Sequence, residues 1–473
     1  MMNAGESLDR RYLEFTARTT EVFGRYPQLE PLRYFIFRDL LIQPRACGFQ
    51  EYAKRWVRPL VRRQRTVGLG QKAEILIWIE GERGIIRDTL LPVARELTRR
   101  GERVQLVSFN GPGDLPDATV TCRCPAVRRA PAWAKQAWNA LCQAEQKVGK
   151  PALERSFLYA CANNQSLLNE LNHVLDAIEP RIVVTASTQL MGGSAIVVAA
   201  KNRRIRTALL QHGLLQPFYV PLLADLMCTW GPLSSETLAR LGVETRRLMA
   251  LGSPRHDTMF SSGNGTARQA LLRCLALENK LNLVFFSNGN DLQRNGSAPL
   301  ECAKWIETIA REYHTRLNVI VRLHPNEDGS LYRHCRHLVV TKDNPDFEAL
   351  LDGCDCVVSL CSTALYEALL YRKPIWQLAA PEWPDLAENW KQGVAQRVKS
   401  QDELRERVEC LLDRREPSGQ YNGLVAGVFN NHGRATQKVA EFLTSQIHQM
   451  PMPDDTAAQL STAREVGRRG SAG

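Results

Sequence analysis

DCVVSLCSTALYEALLYRKPIWQL, Asp355 to Leu378, reads as strand, loop, helix and strand in close succession. The first apolar run ends at Ser359, and Ser362 and Thr363 open the helix. A strand–helix–strand unit closes with a right-handed crossover, which makes its two strands parallel. Upstream, LNLVFFSNG reads as a strand ending in a loop, PLECAKWIETIAREY as a helix, NVIVRLHPNED as a strand with a polar exit and HLVVTK as a strand. Nearer the N-terminus, ILIWIE (Ile75 to Glu80), a helix from Asp88 to Arg100 and VQLVSF form a similar unit. Two long helices between 131 and 178 precede RIVVTAS, GGSAIVVAAKNRR, TALLQHG and ADLMCTWG, which read as strand, helix, strand and strand. Each strand is a nearly continuous apolar run, as expected where helices cover both faces of a parallel sheet. The fold class is α/β, two Rossmann-like doubly wound domains in series with a helical N-terminal extension.

GSPRHD, Gly252 to Asp257, interrupts both periods and reads as the linker. The expected organisation is a helical basic region over 1–70, a first domain over 71–256 and a second over 257–432, then a C-terminal helix over 433–449 and a disordered tail over 450–473. A length of 473 residues suits two cores, and 44% apolar with 23% charged residues is a globular balance. No apolar stretch reaches the ~18–20 residues of a membrane span, and the N-terminus lacks the apolar core of a secretory signal. The 13 cysteines are scattered, several inside apolar runs as at Cys161, Cys228 and Cys302, which fits a reducing compartment. A cytoplasmic location follows as the expectation. The pairs Cys122/Cys124 and Cys354/Cys356 lack partners at zinc-site spacing, so no metal site is expected.

The net charge of +11 points to a nucleic acid, an anionic membrane or a phosphate-bearing substrate. No nucleic-acid module is evident, so a nucleic-acid partner is not expected. The densest basic run, KRWVRPLVRRQR from Lys54 to Arg65, interleaves arginines with apolar residues. It reads either as a helix touching the inner membrane peripherally or as a solvated helix interrupted at Pro59.

In doubly wound folds ligands bind beyond the carboxyl ends of the strands. The hydroxyls of Ser362 and Thr363, with the backbone N–H groups of the helix start, suit a diphosphate or a sugar monophosphate. Glu367 falls on the same helix face one turn deeper, where a carboxylate can accept hydrogen bonds from ribose. This segment resembles the donor-binding segment of GT-B glycosyltransferases, the superfamily that includes UDP-GlcNAc 2-epimerase. The closer likeness is to polysialyltransferases, the Kdo transferases of capsule synthesis and CDP-glycerol glycerophosphotransferases. It implies that the two domains face each other across a cleft, acceptor on the first and nucleotide-sugar donor on the second.

Three more strand ends fit that resemblance. VRLHPNED delivers Arg322 and His324 to the cleft, with Pro325 ending the strand; the His-Pro pair is similar to the motif that contacts the nucleotide in the polysialyltransferase group. LVFFSNGND ends in Ser287, Asn288 and Gly289, a small exit through which backbone can approach a phosphate. Glu80 before Gly81 resembles the acidic-acidic-glycine motif that carries the general base, although Ile79 stands where a second acid would be. QHG, Gln211 to Gly213, puts His212 at a strand end, to orient the acceptor or contact the donor sugar; Asp225 is a weaker candidate, because it begins a strand. No Asp-x-Asp sits at a strand end, so charge neutralisation is expected from helix starts, Arg322, His324 and Arg255 without a metal.

The resemblance thus implies a glycosyltransferase with catalytic Glu80 and His212, moving a sugar from a nucleotide donor, CMP-linked Kdo or sialic acid foremost, to a capsule, lipopolysaccharide or related surface glycan. The nucleotide-sugar is a substrate, and no other cofactor is implied. A UDP-GlcNAc 2-epimerase-like enzyme, a CDP-glycerol phosphotransferase-like enzyme and a non-catalytic scaffold of a glycan assembly complex are the alternatives.

Overall fold

The computed structural model describes residues 8–38, 72–80, 84–109, 115–116, 119–122, 129–146, 151–261, 265–287, 298–325, 327–379, 389–415 and 421–448. The basic run Lys54–Arg65, Asn288, Gly289 and the tail from 450 lie outside them. Two parallel sheets organise the chain. The first has the order β3-β2-β1-β4-β5-β6-β7, with β1 Ile75–Glu80, β2 Val104–Phe109, β3 Val120–Cys122, β4 Ile182–Thr185, β5 Arg206–Leu210, β6 Leu226–Thr229 and β7 Leu248–Ala250. The second has the order β10-β9-β8-β11-β12-β13, with β8 Leu281–Phe286, β9 Leu317–Arg322, β10 Leu338–Thr341, β11 Cys356–Ser359, β12 Ile375–Leu378 and β13 Gln396–Val398. Every residue of β1, β4, β11 and β12 is buried, which is why these runs carry no polar alternation. Cys161, Cys228 and Cys302 are core residues, as their apolar neighbours imply.

The N-terminal helix α1 (Leu8–Arg25) is joined to the first domain. Its Tyr12, Phe15 and Phe23 share one core cluster with Phe218 and with Trp138 and Phe157 of the helices α3 (Ala132–Ala144) and α4 (Pro151–Ile178), which follow α2 (Gly84–Arg99) in the chain. Arg33 is held there by Glu30 at 2.7 Å and lies over the Phe23 ring at 3.6 Å.

The chain crosses between the domains twice, and the crossings are stitched together. Outbound, Gly252 has φ +106°, and a Cβ there would lie 2.1 Å from the Asn430 carbonyl oxygen, so only glycine fits. On the return, the Asn430 and Asn431 side chains donate to the carbonyls of Ala250 and Leu251 at 2.6 and 3.1 Å. The last described helix, Ala435–His448, lies on the first domain: its Val439, Ala440, Leu443 and Ile447 pack in the same core as Ile75, Ile77 and Leu90. Asp257 of the outbound crossing caps this last helix, accepting from the N–H groups of Ala435 and Thr436 at 2.9 and 2.7 Å. No helix among the described residues is long and apolar enough to cross a membrane.

Asp257→Ala should remove that cap and lower stability in urea by about 0.5–2 kcal/mol, the usual worth of a helix N-cap. An unchanged denaturation midpoint would show that the return helix needs no anchor at the linker.

Candidate functional site

Strands β9, β8 and β11 are neighbours, and the strand order reverses at β8 and β11. A crevice outside the carboxyl ends at such a switch point is where doubly wound folds take ligands. The exits of these strands bring together Ser287 after β8, His324 and Pro325 after β9, and Ser362 and Thr363 after β11. His324 and Pro325 are exposed, while Ser362 and Thr363 are half-buried. The Ser362 hydroxyl accepts from the Ala364 N–H at 3.2 Å. The helix these residues open, Ala364–Leu370, is short, so hydroxyls rather than a long dipole dominate its start. Arg322 turns away from this group: its guanidinium donates to the Pro345 carbonyl at 2.9 Å. Burial lowers the Arg322 pKa against the pull of Asp343 and Asp346.

The sequence reading missed a residue here. Glu327 is buried, and its carboxylate accepts from the His324 N–H at 2.8 Å and from the Ser287 hydroxyl. A glutamate in a polar strand exit carries no periodic signal that separates it from a solvated one.

Glu367 lies on the predicted face of the helix, but as a 1% exposed residue it is far from solvated. Its Oε1 is 2.9 Å from Nε2 of His256 and 2.9 Å from Nη1 of Arg255, both in the linker segment, so Arg255, expected from sequence to neutralise donor charge, faces Glu367. The Arg255 contact is one of charge, since Nη1 is not aligned as a hydrogen bond. Nδ1 of His256 lies 2.6 Å from the Ser253 hydroxyl. Burial drives the His256 pKa down, outweighing the carboxylate beside it. Burial pushes Glu367 up, but Arg255 and the His256 hydrogen bond win and hold it below the ordinary carboxylate value. Neutral His256 therefore donates from Nε2 to an ionised Glu367 and accepts at Nδ1 from Ser253. The Trp230 ring meets His256 edge-on at 5.1 Å, and Phe429 meets it at 4.8 Å, closing over the imidazole side of the contact.

In the first domain Glu80, the expected general base, is held by backbone. It stands at the end of β1, beside β4, where the order of the first sheet reverses. Its two oxygens accept from the N–H groups of Gly192 (2.9 Å) and Gly193, at the start of the helix Met191–Asn202. A Cβ at Gly192 would lie 2.9 Å from this carboxylate, and one at Gly193 would lie 1.8 Å from the Ser187 carbonyl oxygen. Buried and bonded by both oxygens, Glu80 is an internal helix cap and a poor general base. Asp225 is likewise structural, accepting from the Thr207 N–H and hydroxyl at 3.0 and 2.9 Å.

His212 follows β5 and is half-buried. Its Nδ1 faces the Ala186 carbonyl, with the Tyr219 hydroxyl at 3.4 Å. A ring nitrogen facing a carbonyl oxygen must carry the proton, which leaves the lone pair of the neutral ring on Nε2. Gln211 beside it is locked, its Oε1 accepting from the Trp230 N–H at 2.9 Å while the indole donates to the Gln211 carbonyl at 2.8 Å. Next to this loop a cavity of about 610 Å³ opens between the domains. Leu214, Gln216 and Ser234 line it from the first domain, and Tyr366, Asn389 and Gln392 from the second.

With this geometry in view, comparison with known proteins gives a consistent class. The sequence profile of the CDP-glycerol:poly(glycerophosphate) glycerophosphotransferase family matches residues 232–445. No curated protein matches by sequence. Among solved structures, the UDP-GlcNAc 2-epimerase of Methanocaldococcus jannaschii is similar at 14% identity and a TM-score of 0.51, over 78% of this chain and 99% of that one. The MnaA–UDP co-structure from Staphylococcus aureus is similar at 13% and 0.52, over 80% and 98%. Anabaena HepE, in complex with UDP and glucose, is similar at 12% and 0.52, over 79% and 100%. The fold is GT-B-like, two parallel-sheet α/β domains. The glycerophosphotransferase match across the second domain makes the chain a transferase.

The His256–Glu367 contact predicts a pH signature. The folded pKa of His256 is depressed, so the unfolded chain takes up a proton that the folded one refuses. The stability it contributes is full above the unfolded value near ~6.5 and is lost as pH falls through it. The stability advantage of wild type over His256→Gln should therefore shrink on acidification from about pH 7.5 to pH 5 in urea titrations. A constant difference across that range would contradict the assignment.

Proposed function

We propose that the protein transfers a phosphate-linked group from a cytidine nucleotide to an acceptor hydroxyl, with CDP-glycerol or a related CDP-polyol as the donor. The observation that carries this reading is the convergence of Ser287, His324, Ser362, Thr363 and Glu367 on adjoining strand ends of the domain that matches the glycerophosphotransferase profile. The Ser362 and Thr363 hydroxyls suit the diphosphate. Glu367 has its Oε1 engaged and suits ribose through its second oxygen, and exposed His324 suits the phosphate or base. The nucleotide is a substrate in this reading, which requires no further cofactor and no metal.

Catalysis falls to His212 in place of Glu80. Nε2 accepts the proton of the acceptor hydroxyl as its oxygen attacks the phosphorus bearing the polyol; the P–O–P bond breaks and CMP leaves. The cavity lined by Gln211, the residue before His212, suits the acceptor, since amide and hydroxyl side chains over an apolar floor fit a polyol or saccharide chain. Domain closure over it would exclude water from a hydrolysable donor. A CMP-sugar donor, with Kdo or sialic acid transferred to a capsule or lipopolysaccharide acceptor, is the second reading, favoured by the likeness of the His-Pro exit to polysialyltransferases. The Lys54–Arg65 run supports peripheral contact with an anionic inner membrane, where such acceptors reside.

Thermal melts of the purified protein with CMP, CDP and UDP, each with and without magnesium, test the nucleotide. Saturation at 100 times the dissociation constant stabilises by ~2.7 kcal/mol, readily seen in a melt. The expected result is a shift with CDP and CMP that His324→Ala reduces. A shift with UDP alone would move the reading to a UDP-sugar enzyme, and no shift with any nucleotide would favour the scaffold alternative. His212→Asn should retain the nucleotide shift and lose transfer by at least about a hundredfold, the usual contribution of a general base. Retained transfer would exclude His212 as the base.

A further inference from the structure

The backbone ladder between β8 and β9 runs to the pair Phe286 and Arg322, and one further bond joins the Ser287 N–H to the Arg322 carbonyl at 3.0 Å. Beyond that point the two exits diverge in sequence, one toward Asn288, the other into His324 and Pro325. Two side chains continue the connection: the Ser287 hydroxyl, which also lies 3.1 Å from the Arg322 carbonyl, and Glu327. The Glu327 Oε2 accepts from the His324 N–H at 2.8 Å and from the Ser287 hydroxyl, and that hydroxyl oxygen is itself 2.9 Å from the same N–H. The turn that returns Glu327 beneath His324 closes with the Glu327 N–H donating to the His324 carbonyl at 2.8 Å. Lys342, just past β10, donates to the Glu327 carbonyl at 2.9 Å, fixing the turn from its other side.

Glu327 is only 3% exposed, and among the described residues no Lys or Arg pairs with its carboxylate. A buried carboxylate held by two hydrogen bonds and no cation is a costly way to fill space. An apolar side chain would fill it at no such cost, so the geometry the charge enforces is its evident product. That geometry turns the His324 N–H inward and leaves the His324 side chain exposed at the crevice.

We infer that Glu327 is a positioning residue for the nucleotide site, clamping the exits of β8 and β9 so that Ser287 and His324 present one preformed surface to the donor. This rests on the reading of that crevice as the nucleotide site. Glu327 does not touch the donor; it acts through the two exits. One oxygen must serve two converging donors, and charge strengthens both bonds. Glutamine offers a weaker acceptor and two extra hydrogens, and aspartate is one methylene short.

The test is isothermal titration of wild type, Glu327→Gln, Glu327→Asp and Ser287→Ala with CDP, alongside Phe23→Leu as a variant destabilised in the core beneath the N-terminal helix. The clamp predicts that both Glu327 variants bind CDP about tenfold or more weakly while remaining folded, as for loss of a hydrogen bond to a charged group. Phe23→Leu should bind like wild type. The effects of Glu327→Gln and Ser287→Ala should combine to less than their sum, because each breaks the same connection. Hydrogen exchange at the His324 amide should quicken in Glu327→Gln without any nucleotide present. If wild type binds CDP and the Glu327 variants bind it equally well, the clamp is overturned and the nucleotide reading stands. If wild type binds none of CMP, CDP and UDP while exchange at His324 still quickens, the nucleotide reading fails and Glu327 is a brace of the fold alone. Should Glu327→Gln fail to fold, unchanged CDP affinity in Ser287→Ala would itself overturn the clamp.

Discussion

A buried carboxylate on the second domain, Glu367, faces a cation and a neutral imidazole supplied by the linker, and the two-domain arrangement turns on that contact. Removing either partner would leave a charge in a buried site beside Trp230 and Phe429, and an unmatched buried charge is far more costly than an unmatched apolar group. The linker is therefore committed to one path beside the helix Ala364–Leu370. From there Asp257 reaches the return helix, and the return helix completes the core of the first domain. One electrostatic match thus sets where both crossings run and how the strand ends of the two sheets are presented.

The two sheets use their switch points differently. In the first, a helix start that would suit an external anion is already satisfied by Glu80, and the two glycines that admit its carboxylate leave no room for a Cβ. In the second, the strand exits carry the hydroxyls of Ser362 and Thr363 and an exposed histidine, and the buried carboxylate among them, Glu327, is taken up by the Ser287 hydroxyl and the His324 N–H. That difference supports the reading of the second domain as the donor side, because among the described residues no carboxylate accepts from the start of its helix Ala364–Leu370. In the first domain the His212 ring is oriented through Nδ1 by the Ala186 backbone carbonyl.

Much of this was legible in the residues. Continuous apolar runs such as ILIWIE and CVVS announced buried parallel strands, and the residues at their ends fell at strand exits as read. The short edge strands Val120–Cys122 and Gln396–Val398 were missed, since three residues carry no period. Polar residues whose partners are distant in sequence were the larger loss. His256 meets Glu367 across 111 positions, Glu80 meets Gly192 across 112, and neither pairing leaves a local pattern. Glu80 was read as a base because a carboxylate at a strand end looks the same whether it faces a cleft or a helix start. Arg322 was read toward the donor, and its actual partner, the Pro345 carbonyl, lies on a loop that periodicity does not place.

The most direct test of the account is a crystal structure of the protein with CDP. The account predicts the diphosphate against Ser362 and Thr363, the ribose toward Glu367, and the nucleotide within reach of His324, with the Glu367–His256 contact intact. Nucleotide bound at the strand ends of the first domain, or density only outside the crevice at β8 and β11, would contradict it.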